Sequence, residues 1–310
     1  MTAKAFCDYT LVVILSLIWA SSFLLIKIAI LEVPPVTMAA ARVLVAFIIL
    51  YVLMRLRGQE MAPPWGDGGQ MRWVHFLVIG MFGNGIPFSL VSWGEIEITA
   101  ALASILIGIM PVFTVILAHG FGVERITNHR RLAGIATGTG GLVVLIGPAV
   151  LTQLGDAALH ELALVGAAAS YAATAVYARR LTLRLPLVPL ATGSMAASTA
   201  VMVPVALILE TPWQLSPGVG ALAAVAVLGI VATGFASIIY FRLLASAGPT
   251  FASTINYLLP IFGVGLSITL LGESVGPREL VAMVLILSGI VLVRNPPSRA
   301  SSPKERPFSR

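Results

Sequence analysis

Residues 98–124 read ITAALASILIGIMPVFTVILAHGFGVE, and residues 247–273 read AGPTFASTINYLLPIFGVGLSITLLGE. Aligned without gaps, the two stretches share an Ala-Ser pair, a Pro-x-Phe motif and a final glutamate, Glu124 in the first and Glu273 in the second. Each stretch contains an apolar run long enough to cross a lipid bilayer, which takes roughly 20 residues. The pair therefore indicates a helical membrane unit that occurs twice in the chain.

The composition of the chain is that of a membrane protein. Of its 310 residues 58% are hydrophobic and 10% are charged, with a mean hydropathy of +0.98, whereas about a quarter of a soluble domain is charged. A net charge of +6 is also found in nucleic-acid-binding proteins, but here the basic residues are dispersed between apolar runs. The expected partner is the lipid bilayer, and no nucleic acid is expected. The one cysteine, Cys7, excludes an internal disulfide.

Ten apolar runs predict ten transmembrane helices. The runs are continuous rather than alternating, which favours helices over the strands of a membrane barrel. Proline and glycine mark several of the connections, and no connection is long enough for a nucleotide-binding domain. The predicted helices span residues 9–31, 36–55, 73–93, 98–120, 131–150, 161–180, 186–209, 218–241, 250–271 and 279–294.

The repeat divides the chain into two five-helix units, at residues 9–150 and 161–294, followed by a basic tail at 295–310 that we expect to be disordered and cytoplasmic. Because five is an odd number, the two units must enter the bilayer in opposite directions. We therefore predict an all-α membrane protein whose five-plus-five inverted repeat surrounds a central cavity. Further matched positions are Gly80 with Gly229, Gly85 with Gly234, Ala103 with Ala252, Phe113 with Phe262 and Gly140 with Gly289.

The distribution of positive charge predicts the orientation in the membrane. With ten crossings, all but three of the 19 lysines and arginines lie on the side of the N-terminus. The exceptions are Lys27 and Arg42, which lie inside predicted helices, and Arg278, which lies on the opposite side. The positive-inside rule then places both termini in the cytoplasm, and we call the opposite side the predicted outer end.

Several motifs give the chain a family resemblance over about residues 10–294. The motifs are Trp19-x3-Phe23-x3-Lys27, Pro111-x12-Glu124, and Pro260-x12-Glu273 followed by Gly276-Pro277. Together with the duplicated five-helix unit, they resemble EamA-type members of the drug/metabolite transporter superfamily. The resemblance implies a secondary transporter or facilitator that exports small metabolites across the bacterial inner membrane by alternating access. Within the superfamily the chain is most similar to bacterial aromatic amino-acid exporters, which implies a zwitterionic or aromatic substrate and a cavity between helices 1, 3, 4, 6, 8 and 9.

Two cations inside predicted helices are candidates for function. A cation within the bilayer is costly unless it reaches water, lipid head groups or a partner. Arg42 either holds a substrate carboxylate through two hydrogen bonds or braces helix ends. Lys27, which lies nearer the outer end, is expected to extend its ammonium group to the membrane surface.

Aromatic side chains are candidates for the walls of the cavity. Rings with polar edges suit an amphipathic or aromatic solute, although the alternative for each ring is packing in the core or at the membrane interface. Trp19 and Tyr171 occupy matched positions in the repeat and are expected to face one another. The candidate binding rings are Trp19, Phe23, Phe88, Tyr171 and Tyr257.

Two amides and four backbone-breaking residues complete the candidate site. Asn84 and Asn256 either bind substrate or bond a neighbouring helix. Glycine and proline inside a membrane helix free backbone groups, which is tolerated where they are buried or line a cavity. Such positions are either hinges or static kinks. The candidate hinge residues are Gly83, Pro87, Pro111 and Pro260.

No metal, cofactor or catalytic group is expected. The four histidines lack metal-ligand spacing, and neither H-E-x-x-H nor a phosphate-binding loop occurs. An intramembrane enzyme is therefore disfavoured, while a multidrug or other metabolite exporter of the same build is the nearest alternative.

The energy source and the oligomeric state stay open. No acidic residue lies in the middle of a predicted helix, which favours facilitated export, with proton coupling through Glu95 or Glu97 as the alternative. Small residues from Gly134 to Gly141 either pack within the chain or form the face of a homodimer, so the protein is expected to be a monomer or a homodimer.

Overall fold

The computed structural model describes residues 3–61, 69–122, 129–146, 156–181, 186–247 and 255–293. These residues form ten helices, and no strand occurs among them. The tail at 295–310 and Glu124 lie outside the described residues. The helices are α1 Ala3–Ala29, α2 Pro35–Leu56, α3 Gly69–Gly94, α4 Ala100–Gly120, α5 His129–Ile146, α6 Asp156–Leu181, α7 Leu187–Leu209, α8 (Val219–Val227, Leu228–Phe235 and Ala236–Ala247), α9 Ile255–Leu271 and α10 Pro277–Val293.

Seven of these helices, α1 to α4 and α6 to α8, are long and apolar enough to cross a membrane. Helices α5 and α9 contain shorter apolar segments, Leu132–Leu145 and Ile255–Leu271, and α10 has 17 residues. The prediction of an all-α membrane protein is confirmed, and the ten predicted helices are all present in the described part of the chain.

The helices pack in pairs that join the two halves of the chain. Helix α2 packs on α7, and α5 packs on α10. Other contacts come in equivalent pairs. Helix α1 lies against α9, and its equivalent α6 lies against α4. Helix α2 lies against α8, and its equivalent α7 lies against α3. The buried core is therefore built between the halves rather than within each of them.

Two glycines allow close crossings between helices of the two halves. A Cβ atom on Gly80 of α3 would collide with the backbone of Ser194 in α7, and a Cβ atom on Gly229 of α8 would collide with the side chain of Val45 in α2. Small residues let membrane helices approach closely and gain dispersion contacts. A larger residue at either glycine would push the two halves apart.

The glycines of α5 pack inside the chain. A Cβ atom on Gly289 of α10 would overlap the backbone of Gly134 and Gly138. The small residues Gly134 and Gly138 therefore pack within the chain, against α10.

Helices α3 and α8 each contain a π-helical segment, at Met81–Gly85 and Leu228–Phe235. In α3 the segment precedes Pro87, which has no N–H to donate to the carbonyl four residues earlier. A wide turn accommodates this missing donor, and π segments of this kind leave carbonyl groups for other partners. The two segments occupy matched positions in the repeat.

Helix α4 is interrupted between Ile107 and Met110, just before Pro111. Pro260 lies inside α9, and its ring is packed where a Cβ atom of Gly108 would be. The interruption of α4 before Pro111 therefore packs against α9 at Pro260.

Candidate functional site

Arg42 is the centre of a polar cluster buried between the two halves. Its side chain belongs to α2 and is 7% exposed. Its Nε atom donates a hydrogen bond of 2.7 Å to Oγ1 of Thr233 in α8. Its Cζ atom lies 3.8 Å from the centre of the Phe88 ring in α3, within the range of a cation–π interaction. Arg42 therefore joins three helices from both halves of the chain.

The guanidinium group of Arg42 keeps donors available for a ligand. Its two terminal nitrogens make no hydrogen bond with any described residue. No carboxylate in the described part of the chain lies within 4.0 Å of them. A guanidinium presents parallel N–H donors that match a carboxylate. The arrangement can therefore hold an anionic group beside the ring of Phe88.

Thr233 positions Arg42 and was missed by the reading of the sequence. The residue is 3% exposed, and its hydroxyl donates to the carbonyl oxygen of Leu228 at 2.9 Å within the π segment. The hydroxyl therefore donates its hydrogen to a carbonyl of its own helix, and its oxygen accepts the hydrogen bond from Arg42. The signal was present in the repeat, because Thr233 matches the candidate residue Asn84.

Trp19 is fixed by α8. Its indole Nε1 donates to the carbonyl oxygen of Ala232 at 3.1 Å, and its ring lies 5.6 Å from that of Tyr240. Tyr171 of α6 packs against the core clusters that contain Trp19 and Phe88 and lies within electrostatic range of Arg42. Trp19 thus makes a ring contact with Tyr240, and its predicted pairing with Tyr171 stays a prediction.

Asn84 lies in the π segment of α3 and is half-buried. Its amide makes no hydrogen bond with a described residue. Next to it, the carbonyl oxygen of Phe82 accepts a hydrogen bond of 2.6 Å from Ser170 of α6, and Gly83 lies against Thr174. The segment is therefore anchored to α6 while the amide of Asn84 is available.

The remaining candidates lie apart from Arg42. Phe23 is 6% exposed in the largest core cluster. The hydroxyl of Tyr257 donates to the carbonyl oxygen of Ile290 at 3.2 Å, which directs it towards α10. Asn256 is half-buried at the start of α9. The structure thus places Phe88 and Thr233 against Arg42, with Trp19 bonded to the residue before Thr233 and Tyr171 within electrostatic range of the guanidinium. Tyr257 bonds α10 instead.

Lys27 bonds the α3–α4 connection. Its Nζ atom donates to the carbonyl oxygens of Glu95 at 2.7 Å and Ile98 at 2.9 Å. These carbonyls lie in the α3–α4 connection, where the helix leaves them without backbone donors. The ammonium group thus reaches the predicted outer end, where it bonds backbone carbonyls, and its extension to the membrane surface stays a prediction.

Glu95 follows α3, one residue beyond the membrane-spanning segment Gly69–Gly94. The residue is 0% exposed, and neither of its carboxyl oxygens has a hydrogen-bond partner among the described residues. Burial raises the pKa of this carboxyl well above its usual value, Lys27 and Arg42 oppose the shift, and Glu273 adds to it. The exposed Glu97 is two residues away.

Carboxylates from one half cap helices of the other half at the predicted outer end. Glu210 accepts hydrogen bonds from the backbone N–H groups of Val36 at 3.0 Å and Thr37 at 2.6 Å. Glu273 accepts from Ala100 at 2.9 Å and Ala101 at 3.0 Å. An anion at a helix N-terminus satisfies free N–H groups and is favoured by the helix dipole. These contacts tie α7 to α2 and α9 to α4.

Two further contacts close the same end. Glu32 accepts a hydrogen bond from the backbone N–H of Gly218, at the start of α8. Arg278 donates from Nε to the carbonyl oxygen of Val144 at 2.9 Å and from a terminal nitrogen to that of Leu145, both at the end of α5. All four contacts join the first half of the chain to the second.

A family model described as the EamA-like transporter family matches residues 8–147 and again residues 159–295. The chain belongs to the EamA-like transporter family. The predicted membership of the EamA family is thereby confirmed, and it makes the protein a membrane transporter. The closer similarity to aromatic amino-acid exporters stays a prediction.

Curated relatives extend over most of the chain. The uncharacterized inner membrane transporter YedA of Escherichia coli strain K12 is 28% identical over 280 residues, covering 90% of this chain and 88% of YedA. Protein PagO of Salmonella typhimurium is 24% identical over 91% of each chain. A probable terminal-alkyne amino-acid exporter of Streptantibioticus cattleyicolor is 31% identical over 209 residues, covering 66% of this chain and 67% of the exporter.

A solved crystal structure has the same fold as this EamA-family chain. It superposes with a TM-score of 0.65 at 19% sequence identity, covering 94% of this chain and 97% of the other. At this identity the similarity concerns the fold alone.

Proposed function

We propose that the protein exports small zwitterionic metabolites, with aromatic amino acids favoured, across the bacterial inner membrane. The observation that carries the proposal is the buried guanidinium of Arg42, whose terminal nitrogens are unpaired among the described residues. In an apolar core such donors need an anion, and a carboxylate is the group that fits them in pairs. Phe88, Trp19 and Tyr171 supply aromatic surface beside it.

The amino-acid class has support from one relative. The Streptantibioticus cattleyicolor protein is named as a probable exporter of a terminal-alkyne amino acid, and every amino acid carries a carboxylate. A multidrug or other metabolite exporter of the same build is the second candidate. The aromatic rings around Arg42 would suit such substrates too, but an uncharged drug would leave the guanidinium unpaired.

The mechanism we propose is alternating access between two inverted five-helix halves, 9–150 and 161–294, around a central cavity. Matched contacts support the repeat, because a Cβ atom on Gly80 would meet the backbone carbonyl of Ser194, and a Cβ atom on its counterpart Gly229 would meet the backbone carbonyl of Arg42. Arg42 and Ser194 are 152 positions apart, as are the matched residues Trp19 and Tyr171. The two successive matches to the family model also support a division into two units. Inverted repeats carry a binding site near the membrane midplane in many secondary transporters.

The described conformation is the one in which the predicted outer end is closed. The caps formed by Glu210 and Glu273, with the contacts of Glu32 and Arg278, hold the halves together there. The charge asymmetry supports cytoplasmic termini, and the names of relatives support an inner-membrane location. Opening of this end would then release substrate to the outside.

No catalytic role is proposed for the protein. Its relatives are named as transporters, and no cluster of three or more potential metal ligands occurs among the described residues. Buried polar groups are instead concentrated where helices of the two halves meet.

Transport by purified protein tests the proposal. Proteoliposomes loaded with labelled phenylalanine, tyrosine or tryptophan are diluted into buffer without substrate, and efflux is followed. We expect faster efflux than from empty liposomes, and competition by other aromatic zwitterions but not by the corresponding amines, which lack the carboxylate. Equal competition by the amines would favour the multidrug alternative. Efflux at the rate of empty liposomes for every amino acid would refute amino-acid export.

A further inference from the structure

Glu95 is a buried acid that the proposed export step does not use. It is 0% exposed, and its two carboxyl oxygens lack partners in the described part of the chain. No lysine, arginine or histidine nitrogen of the described residues lies within 4.0 Å of those oxygens. Lys27 is nearby, but its ammonium group is bonded to backbone carbonyls, including that of Glu95 itself.

Such a carboxyl is neutral in this conformation. An ionised carboxylate without partners in a low-dielectric interior is far less stable than the protonated acid. The charged and titratable groups around it act in both directions. Lys27 of α1 and Arg42 of α2 favour the anion, and Glu273 at the end of α9 disfavours it. His160 of α6 is close as well, since its backbone carbonyl contacts the neighbouring Gly94 and its ring stacks on Trp93 at 4.3 Å.

The location of Glu95 links its proton to the closure of the outer end. Its own backbone carbonyl receives Lys27, and Glu273, whose charge it senses, caps the adjacent helix α4. Separation of α9 from α4 would remove that neighbouring carboxylate and admit water to Glu95. Water stabilises the anion, so the acid would lose its proton when this end opens.

We propose that Glu95 is a proton-binding site whose occupancy holds the predicted outer end closed. The inference rests on the proposed alternating access. The proton passes from the carboxyl oxygen to water as the end opens and returns from water as it closes, so no further reactant is needed. External acid then favours the closed conformation, and alkaline solution favours the open one. Because one proton is linked to the change, the ratio of open to closed protein rises by up to about tenfold per pH unit.

Infrared spectroscopy of the full-length protein in proteoliposomes tests the bound proton directly. Spectra are compared across a series from about pH 5 to about pH 11, which extends beyond the pKa of about 8–9 documented for buried glutamates. We expect the carbonyl stretch of a protonated carboxyl in the wild type and in Glu97→Gln, and its absence in Glu95→Gln. Glu97 is the matched control because it is an exposed glutamate on the same connection. Absence of the band in the wild type, or its persistence in Glu95→Gln, would overturn the proposal.

A thiol probe tests the link to opening. Ser92 is 3% exposed and lies one turn before Glu95, so Ser92→Cys in a Cys7→Ser background reports entry of a membrane-impermeant maleimide. The rate of labelling should rise with pH more steeply in this protein than in the same protein carrying Glu95→Gln. The thiol itself reacts faster at higher pH in both proteins, so the difference between the two slopes reports opening. Glu97→Gln should keep the steep response. Equal pH responses with and without Glu95, or no labelling at any pH, would overturn the proposal.

The two experiments separate this inference from the proposed function. Neither needs a transported substrate, so a protein that moves no amino acid can still show the titration and the pH-dependent opening. A protein that exports amino acids without the titration retains the proposed function and loses the proton site. The wild-type and Glu97→Gln measurements stand even where Glu95→Gln does not fold.

Discussion

The guanidinium of Arg42 is bonded through Nε to the hydroxyl oxygen of Thr233, and the two residues lie in different halves of the chain. A carboxylate that meets a guanidinium group end-on accepts hydrogen bonds from its two terminal nitrogens. The bond to Thr233 uses the third nitrogen, Nε. It therefore orients Arg42 without occupying the donors at its tip. This division of roles makes the two residues separable by mutation.

Removal of the cation should abolish carboxylate recognition. We expect Arg42→Ala to lower amino-acid efflux by at least about tenfold, because a charge-assisted pair contributes roughly 1.5–3 kcal/mol. Arg42→Lys should recover only part of the loss, since an ammonium group lacks the paired donors. Efflux from proteoliposomes is the measurement, and Arg57→Ala, at an exposed arginine just beyond the C-terminal end of the same helix, is the control. Normal efflux by Arg42→Ala would mean that the site lies elsewhere.

Loss of the Thr233 hydroxyl should weaken substrate binding through Arg42. Thr233→Val removes the acceptor of Nε at nearly constant volume, and we expect the substrate concentration for half-maximal efflux to rise by about tenfold. Thr233→Ser keeps the oxygen and should behave like the wild type. A Thr233→Val protein with normal concentration dependence would show that Arg42 needs no orientation by α8.

Asn84→Ala and Trp19→Ala should each reduce transport while leaving the amount of protein in the membrane near normal. Asn84 makes no hydrogen bond with described residues, so its removal costs the fold little. Trp19→Phe separates the ring from its 3.1 Å hydrogen bond to Ala232 and should retain more transport than Trp19→Ala. Quantitative membrane blots with efflux assays measure both quantities. Loss of protein in parallel with loss of transport would indicate a purely structural role.

Removal of a carboxylate cap should open the predicted outer end. Glu210→Ala and Glu273→Ala each take away a cap that contributes about 0.5–2 kcal/mol, which corresponds to a roughly 2- to 30-fold rise in the open population. Faster maleimide labelling of Ser92→Cys in the Cys7→Ser background would report it. Glu60→Ala is the control, because the side chain of Glu60 is 81% exposed. Unchanged labelling in both cap variants would place the barrier to opening in other contacts.

The stability of the protein in detergent should fall as pH rises above the ordinary pKa of a glutamate. Burial raises the pKa of Glu95 above its usual value, so the folded protein binds a proton that the unfolded chain has already released. Between those two pKa values stability decreases with rising pH, by up to about 1.4 kcal/mol per unit. Thermal unfolding of the wild type and of Glu95→Gln measures the slope, which the variant should lack. An equal slope in both proteins would assign it to other groups.

The ten helices were predictable because each one needs a long apolar run, and lipid imposes that requirement on the sequence directly. Arg42 was predictable for the same reason, since a cation inside such a run is costly without a function or a partner. The π segment of α3 coincides with Gly83, Asn84 and Pro87, whose effects on the backbone are local. These features depend on residues close together in the chain.

Tertiary contacts decided the features that were missed. Glu95 stands at the end of an apolar run, where a carboxylate is ordinarily exposed, and it is buried where Lys27 of α1 and His160 of α6 lie against the connection. The carbonyls that Lys27 bonds are 68 and 71 residues away. Thr233 matches Asn84 in the repeat, but its bond to Arg42 depends on the approach of α8 to α2.

The two π segments also supply a pivot for the proposed alternating access. Trp19 bonds the carbonyl of Ala232, and Ser170 bonds that of Phe82, so each segment holds the first helix of the opposite half. Both bonds lie about midway along their helices. In the proposed mechanism, rocking of one half against the other around these bonds would displace atoms at mid-depth least and the helix ends most. Small forces on the end caps would then gain leverage, and the residues around Arg42 would keep their places while access changes sides.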